Sequence, residues 1–284
     1  MADTQTAQPT GRGPVTETVA VLGAGGTMGF PIARNIARAG LPTRVWNRSG
    51  DKARPLTADG AYLARTPYDA ASGAGIVITM LADEEAVARA MDGPDGALRA
   101  LSGARQGEVG AAGGPHGRRR ALWVQMSTIG ETGTGRCAEL ANRAGVGFVD
   151  APVLGTRQPA EEGKLVILES GPEEARPRLV PVFDAIGQCT IRAGEAGAGS
   201  RLKLVADRWV LAVVEAAGQA IALAEGLDLD PGLFFKAVDG GDAEDRDLDL
   251  PLIEAIARRF AEPAREHGDK SLSAADLMST PKRD

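Results

Sequence analysis

The sequence is poor in cysteine, histidine and aromatic side chains. Its 284 residues include two cysteines, two histidines and only 4% aromatics. Cys137 and Cys189 form neither a disulfide framework nor a metal-ligand spacing. Because apolar residues flank both, we expect them to be small core residues. His116 and His267 lack neighbours that would complete a metal site. These absences exclude disulfide-rich and zinc-binding classes and predict a reducing, cytoplasmic location with no bound metal.

The chain also lacks an excess of positive charge. Its 32 Lys and Arg residues against 38 Asp and Glu give a net charge of -6, which argues against a dedicated nucleic-acid binder. We interpret the arginines Arg118 to Arg120 as a solvated loop flank rather than as a phosphate-binding patch. The N-terminus has no apolar signal core, and we expect no membrane-spanning stretch and no membrane partner.

What the sequence does contain is an alternation of short apolar runs with helical patterns. Such continuous apolar strands separated by helices predict an α/β fold with a doubly wound, mainly parallel sheet. The predicted strands are 18–22, 41–46, 75–81, 122–128, 146–150 and 164–168, and the predicted helices between and after them are 32–39, 83–91, 132–144 and 172–186.

We divide the chain into three parts. Residues 1–16 are polar and predict a disordered tail, residues 17–194 a dinucleotide-binding domain, and residues 195–284 a helical domain for substrate and dimerisation. Residues 102–120 are so rich in glycine that we expect a flexible surface loop. The helical pattern at 200–224 would be about 37 Å long at 1.5 Å per residue, which predicts a connecting helix into a smaller all-α domain.

A glycine-rich turn joins the first predicted strand to the first predicted helix. It reads Gly23-Ala-Gly25-Gly26-Thr27-Met28-Gly29. In such a turn, glycine permits the tight bend and the close approach of the backbone to a pyrophosphate at the helix N-terminus. The glycines at 23, 26 and 29 depart by one residue from the usual spacing, yet the strand–turn–helix context predicts a dinucleotide site.

The end of the second predicted strand indicates which dinucleotide is bound. A site selective for NAD places an acid there to bind the ribose hydroxyls, whereas an arginine accommodates a 2′-phosphate. Asn47, Arg48 and Ser49 occupy this position, and the first acid, Asp51, comes later. The residues therefore favour NADP. The alternative is NAD, with Arg48 in solvent and Asp51 turned into the site.

Other candidate residues follow from the topology and from one unusual lysine. Ligands of doubly wound sheets lie at the carboxyl ends of the strands, which places Leu81, Ala82, Ser127 and Thr128 beside the cofactor. Lys203 follows Ser200, a predicted helix N-cap, so a cation stands near the positive end of a helix. We interpret Lys203 as a proton donor or acceptor held by Asp207 one turn later; the alternative is a solvated surface pair.

These motifs resemble those of the β-hydroxyacid dehydrogenase family, which includes 3-hydroxyisobutyrate dehydrogenases and semialdehyde reductases. Imine reductases are more distant relatives of that family. The matching segments are Val21 to Gly29, Asp150 to Thr156 and Gly194 to Asp207. The resemblance implies a Rossmann-type domain, Lys203 as the catalytic lysine, and Leu81, Ala82 and Thr128 at the cofactor. We also expect Ser127, Leu154, Gly155 and Thr156 to contact the substrate.

Several positions depart from the family pattern. Leu154 replaces a serine that would point at the substrate carboxylate, so Gly155 and Thr156 become the expected substrate-binding residues. Asp207 replaces an asparagine, and its carboxylate would favour a protonated lysine, which suits reduction. The helical part after Gly241 is shorter than the family pattern predicts, which would leave apolar helix faces uncovered and predicts a homodimer.

Three functions remain open on these residues. The first is an NADP-dependent oxidoreductase that acts on a small β-hydroxyacid or semialdehyde. The second is an imine reductase, although that branch typically has Asp or Tyr at the position of Lys203. The third is an NADP-binding protein with impaired catalysis, because of Leu154 and the shortened helical domain.

Overall fold

The computed structural model describes residues 17–103 and 120–238. The predicted tail at 1–16, nearly all of the predicted loop at 102–120, both histidines and the last part of the predicted helical domain lie outside these ranges.

Nine strands and nine α-helices alternate along the described chain. The strands are β1 (Val19–Leu22), β2 (Thr43–Trp46), β3 (Tyr62–Leu63), β4 (Ile76–Thr79), β5 (Leu122–Gln125), β6 (Gly147–Asp150), β7 (Val153–Leu154), β8 (Leu165–Ser170) and β9 (Gly187–Gly194). The helices are α1 (Gly29–Arg38), α2 (Pro67–Ala71), α3 (Glu84–Asp92), α4 (Ala97–Gly103), α5 (Gly130–Ala144), α6 (Arg157–Glu161), α7 (Arg176–Ile186), α8 (Ala198–Gly226) and α9 (Pro231–Val238). Short 3-10 helices occupy Gly50–Lys52, Arg54–Asp59 and Glu173–Ala175.

The strands form one nine-stranded, mostly parallel sheet. Its order is β3-β2-β1-β4-β5-β6-β8-β7, and β9 also pairs with β8. All neighbours from β3 to β6 are parallel, with Val19 of central β1 opposite Thr43 of β2 on one side and Ile76 of β4 on the other. Only β8 runs antiparallel to β6 and β7. The predicted doubly wound, mainly parallel sheet is therefore confirmed.

The core lies on both faces of this sheet. Val19 and Val21 of β1 belong to one buried cluster with Ile32 of α1. The intervening Ala20 and Leu22 belong to a second cluster on the opposite face. Because successive strand residues point to opposite faces, a sheet covered by helices on both sides needs strands that are apolar at every position. This requirement explains the continuous apolar runs in the sequence.

The β9 strand was not predicted, and its position corrects one expectation. Its central residues are largely exposed, so it lacks the apolar run that marks the buried strands. It pairs in parallel with β8 as an edge strand. Cys189 lies on it and is exposed, whereas Cys137 is buried on α5 as expected.

Contacts divide the described residues into two compact units, with the boundary between Val205 and Ala206. The α8 helix begins in the first unit and ends in the second. It is long and apolar enough, by length and composition, to cross a membrane, with a mean hydropathy of 1.3 and 6% of its best window buried. This corrects the expectation that no stretch reaches spanning length. Its many small apolar residues raise the hydropathy although charges interrupt it, and length and composition alone are weak evidence for a span.

Candidate cofactor and catalytic site

The glycine turn between β1 and α1 has no room for larger residues. Gly23 has φ +96°, and a Cβ added to it would lie 2.1 Å from the carbonyl oxygen of Met80. A Cβ on Gly29 would lie 2.1 Å from the carbonyl oxygen of Gly23, because the first turn of α1 packs directly on the loop. Gly26 is less confined, with the nearest atom 3.3 Å away. The irregular glycine spacing therefore still produces a tight strand-to-helix turn.

The N-terminus of α1 presents unpaired donors. Among described residues, the backbone N–H groups of Thr27, Met28 and Gly29 donate no hydrogen bond, while that of Gly26 bonds to the carbonyl of Gly23 at 3.0 Å. Met28 stands at the N-cap position without a side-chain cap. Unpaired N–H groups and the positive end of the helix dipole together favour an anion such as a phosphate.

Asn47 connects this turn to the end of β2. Its Oδ1 accepts the N–H of Gly25 at 3.2 Å, and its Nδ2 donates to the carbonyl of Ser49 at 3.0 Å. A Cβ on Gly25 would lie 2.6 Å from Cβ of Lys52 and 2.7 Å from the Asn47 side chain. The glycine turn and the loop after β2 therefore form one continuous surface.

This surface lines a cleft of about 610 Å³ at the carboxyl ends of β1, β2 and β4. Eight of the predicted cofactor residues line it: Gly23, Gly25, Gly26, Asn47, Arg48, Ser49, Leu81 and Ala82. The predicted residues Thr27, Met28, Gly29 and Thr128 are not among its lining residues. Its lining also includes residues that the sequence interpretation missed, among them Trp46, Lys52, Asp83 and Arg89.

The charges beside β2 are arranged in favour of an anionic ligand. Arg48 and Lys52 are exposed in the cleft and, within the described ranges, neither forms an ion pair. Asp51 instead accepts a hydrogen bond from Arg54 at 2.8 Å, and neither of these two lines the cleft. In this structure the acid therefore does not turn into the site.

Ser127 has an internal role. It is 1% exposed, and its hydroxyl oxygen accepts the N–H of Leu81 at 2.8 Å and lies 3.3 Å from the carbonyl oxygen of Thr79. These bonds tie the end of β5 to the end of β4. Burial of the hydroxyl argues against direct substrate contact, since both of its hydrogen-bonding functions are used. Thr128, the next residue, is exposed.

Lys203 lies near the start of α8 and is half-buried. The helix begins at Ala198, so Lys203 falls in the second turn, and Ser200 is inside the helix rather than at its N-cap. Ser200 donates twice to the carboxylate of Asp150: its N–H to Oδ2 at 2.7 Å and its hydroxyl to Oδ1 at 2.8 Å. The expected cap is thus replaced by a carboxylate 50 residues earlier in the chain.

The segment after β6 contains the other predicted substrate residues. Leu154 is half-buried at the end of β7, and Gly155 has φ +126°. Thr156 precedes α6 but makes no side-chain cap bond to it. Gly155 and Thr156 are both exposed. The lining of the cleft at the glycine turn does not include Lys203 or the three residues Leu154, Gly155 and Thr156.

Comparison with known proteins assigns the chain to a family. Residues 18–194 match the NAD binding domain of 6-phosphogluconate dehydrogenase. The chain belongs to this family. It is 33% identical to the uncharacterized oxidoreductase YfjR of Bacillus subtilis over 77% of this chain and 71% of that protein. It is 28% identical to glyoxylate/succinic semialdehyde reductase 2 of Arabidopsis thaliana over 80% of this chain, a match that spans 58% of the plant protein.

A solved structure extends the likeness to most of the chain. The 3-hydroxyisobutyrate dehydrogenase of Mycobacterium tuberculosis, determined with L-serine, has a TM-score of 0.67 and 26% identity, covering 93% of this chain and 99% of that one. The resemblance to 3-hydroxyisobutyrate dehydrogenases and semialdehyde reductases is therefore confirmed. The chain is an oxidoreductase of this family with an NAD(P)-binding domain.

Proposed function

We propose that this protein is an NADP-dependent reductase of a small semialdehyde or β-hydroxyacid, with Lys203 as the general acid and base. The observation that carries this proposal is the half-buried position of Lys203 on a helix whose first turn is fixed to the sheet by Asp150. These bonds fix the backbone of the first turn, and the Lys203 side chain projects from the next turn of the same helix. The family of the chain, whose named relatives are reductases and dehydrogenases, supports the same reaction class.

The residues around the glycine turn fit a dinucleotide. The N–H groups of Thr27, Met28 and Gly29 would hold the pyrophosphate, and the close contacts at Gly23 and Gly29 keep the backbone at the surface of the cleft. Arg48 and Lys52 would bind a 2′-phosphate, because no described carboxylate forms an ion pair with either, although Asp83 and Asp95 also line the cleft. We therefore propose NADP as the preferred cofactor, with NAD as the alternative.

The chemistry divides between cofactor and protein. The nicotinamide, when bound, supplies or accepts the hydride. In the reductive direction Lys203 donates its proton to the carbonyl oxygen of the substrate, and the resulting neutral amine regains a proton from solvent. Asp207, one helical turn later, is the proposed orienting residue for Lys203. Gly155 and Thr156 are the proposed contacts to the polar end of the substrate.

The test is turnover of NADPH with a panel of glyoxylate, succinic semialdehyde and a cyclic imine, for the wild type and Lys203→Met. Loss of a general acid costs roughly 10²- to 10⁴-fold in kcat, so we expect such a loss for Lys203→Met while the Kd for NADPH stays within about twofold. Lys164→Met is the matched control, since Lys164 is 61% exposed and pairs with Glu162. Unchanged turnover in Lys203→Met would remove the mechanism.

The panel also separates the alternatives. Turnover of the imine alone would favour an imine reductase. Tight NADPH binding, measured by quenching of its fluorescence, with no turnover of any compound would favour a cofactor-binding protein.

We further propose that the apolar surface of the helical unit is covered by a second copy of this chain. Seven large apolar side chains of the second unit are roughly half exposed or more: Trp209, Val210, Leu211, Leu223, Leu227, Leu229 and Leu233. Asp207, Arg208, Glu215 and Glu225 on the same stretch of α8 would be costly in hydrocarbon, which disfavours a membrane as the occupant. We expect a dimer in solution by light scattering after gel filtration. A monomer, or flotation with lipid vesicles, would contradict this proposal.

A further inference from the structure

The N-terminus of α8 is held by a buried group of polar side chains from three other elements. Asp150 at the end of β6 is 0% exposed, Ser170 at the end of β8 is 0% exposed, and Thr134 of α5 is 1% exposed. The hydroxyl of Thr134 lies 3.0 Å from that of Ser200. Because the Ser200 hydroxyl donates to Asp150, its oxygen is left to accept from Thr134.

The two carboxylate oxygens of Asp150 and the hydroxyl of Ser170 accept the hydrogen bonds that the first turn of α8 donates. Oδ2 and Oδ1 of Asp150 accept the N–H and hydroxyl of Ser200. The Ser170 hydroxyl accepts the N–H of Gly199 at 2.9 Å and lies 3.1 Å from the carbonyl and 3.2 Å from Oδ2 of Asp150. These contacts supply the partners that the first N–H groups of any helix lack.

Close packing removes the remaining freedom of this turn. A Cβ on Gly199 would lie 2.2 Å from the carbonyl oxygen of Leu168 and 3.1 Å from that of Asp150. The helix backbone therefore rests directly on the ends of β6 and β8. Both its rotation and its distance from the sheet are fixed at Gly199 and Ser200.

Asp150 is not explained by charge pairing. Among described residues it has no ion pair, and burial raises its pKa above the ordinary value of an aspartate, opposed by the hydrogen bonds from Ser200 and Ser170. Burying a carboxylate without a cation costs free energy unless donors surround it. Here the donors are Ser200 and Ser170, so both carboxylate oxygens are used to hold the start of α8.

We propose that Asp150, with Ser170, is a positioning residue for Lys203: it fixes the first turn of α8, from which the lysine projects one turn later. Ser200 and Lys203 are three residues apart, so they share a face and are separated by about 4.5 Å along the helix axis. This inference rests on the proposed catalytic role of Lys203. Asp150 itself does not touch the substrate.

The test compares Asp150→Asn with Glu169→Gln. Asparagine has nearly the same shape as aspartate but only one acceptor oxygen. It therefore cannot accept both the N–H and the hydroxyl of Ser200 on separate oxygens, and its NH₂ group would face one of these donors. Glu169 is the neighbour of Ser170 on β8 and is 1% exposed. Its carboxylate oxygens have no hydrogen bond in the described structure, and one of them lies 3.6 Å from the guanidinium of Arg192 on β9. Glu169→Gln therefore removes a buried charge whose described ion pair is with β9 and not with α8. With succinic semialdehyde and NADPH we expect kcat to fall about 10- to 100-fold in Asp150→Asn, with a shifted pH profile and an unchanged Kd for NADPH. Glu169→Gln should match the wild type.

A second measurement does not depend on turnover. Acetic anhydride labels accessible lysines, and mass spectrometry reports the rate at Lys203 with and without NADPH. We expect NADPH to protect Lys203 in the wild type and Glu169→Gln, and to protect it at least fivefold less in Asp150→Asn. If Asp150→Asn does not fold, Ser200→Ala, which keeps the backbone bond, should show a smaller loss of the same kind.

The outcomes separate this inference from the proposed function. Equal kcat, pH profile and protection in folded Asp150→Asn and the wild type, together with a large loss in Lys203→Met, would overturn only the role of Asp150. Full turnover in Lys203→Met, or no protection of Lys203 in the wild type, would overturn the role of the lysine itself.

Discussion

The N-termini of helices α1 and α8 differ in whether their backbone N–H groups have hydrogen-bond partners within the protein. At α1 the N–H groups of Thr27, Met28 and Gly29 are unpaired among described residues and directly follow Gly26, which lines an open cleft. At α8 the N–H groups of Gly199 and Ser200 are occupied by Ser170 and Asp150 in the interior. Both helices follow a glycine-rich turn, so the backbone geometry alone does not distinguish them.

The difference shows how one physical property serves two purposes. The positive end of a helix attracts an anion. Where the chain leaves that end empty and accessible, it becomes a site for a phosphate from outside. Where the chain supplies its own carboxylate, as Asp150 does at α8, the same attraction fixes the first turn of the helix, and we propose that this positions the side chains of the next turn.

The largest loss of stability and of cofactor binding should come from a substitution in the glycine turn before α1. Gly23→Ala would place a Cβ 2.1 Å from the carbonyl oxygen of Met80 at φ +96°. A positive φ and a backbone clash together should cost about 2–5 kcal/mol, lower the melting temperature and abolish NADPH binding. Gly26→Ala is the control for stability and not for binding, since Gly26 lines the cleft; its nearest contact is 3.3 Å and its φ is not in the left-handed region. A Gly23→Ala protein with wild-type stability would contradict the tight turn.

A smaller effect should come from the charges beside the open end. Arg48→Ala and Lys52→Ala each remove one cation facing the cleft, and we expect roughly tenfold weaker NADPH binding for each, since a hydrogen bond to a charged group contributes about 1.5–3 kcal/mol. Binding of NADH should change less than about twofold. Arg54→Ala is the matched control, because Arg54 pairs with Asp51 outside the cleft. Equal losses for both cofactors would contradict the 2′-phosphate role.

The smallest effect concerns the reactivity of the two thiols, Cys137 and Cys189. Labelling of Cys137 reports on the packing around the N-terminus of α8. Burial raises the pKa of Cys137 to about 12, with Glu84 and Asp150 adding to the shift. Below that pH the thiol stays protonated and inert, so a maleimide at pH 7 should label Cys189 alone. In urea both should react. Labelling of Cys137 in folded Asp150→Asn would show that the packing near α5 and α8 had opened, and labelling in the native wild type would contradict its burial.

The sequence allowed the sheet to be predicted because its signal is local. A strand buried on both faces is expected to be apolar at nearly every position. All four residues of β1 are apolar, and β4 and β5 are apolar up to their last residues, Thr79 and Gln125, which hydrogen-bond to each other at 2.7 Å. The cap of α3 by Asp83 was also predictable, since Asp83 Oδ1 accepts the N–H of Ala86 at 2.7 Å within three residues.

What could not be predicted depends on contacts between distant residues. The start of α8 was placed two residues late because its cap comes from Asp150, far away in the chain. Ser127 was read as a substrate residue because its position at a strand end is visible, whereas its bond to Leu81 is not. Lys52 was missed because the 3-10 turn that brings it beside Gly25 has no apolar pattern.

The two bonds of Asn47 imply a division of labour between neighbouring residues. Its amide braces the backbone from Gly25 to Ser49, while the adjacent Arg48 has its guanidinium available to the ligand. In the proposed function Asn47 holds the backbone of the site and Arg48 binds the 2′-phosphate. On that proposal, a single replacement at position 48 would change the preference between the two nicotinamide dinucleotides and leave the hydrogen bonds of Asn47 in place.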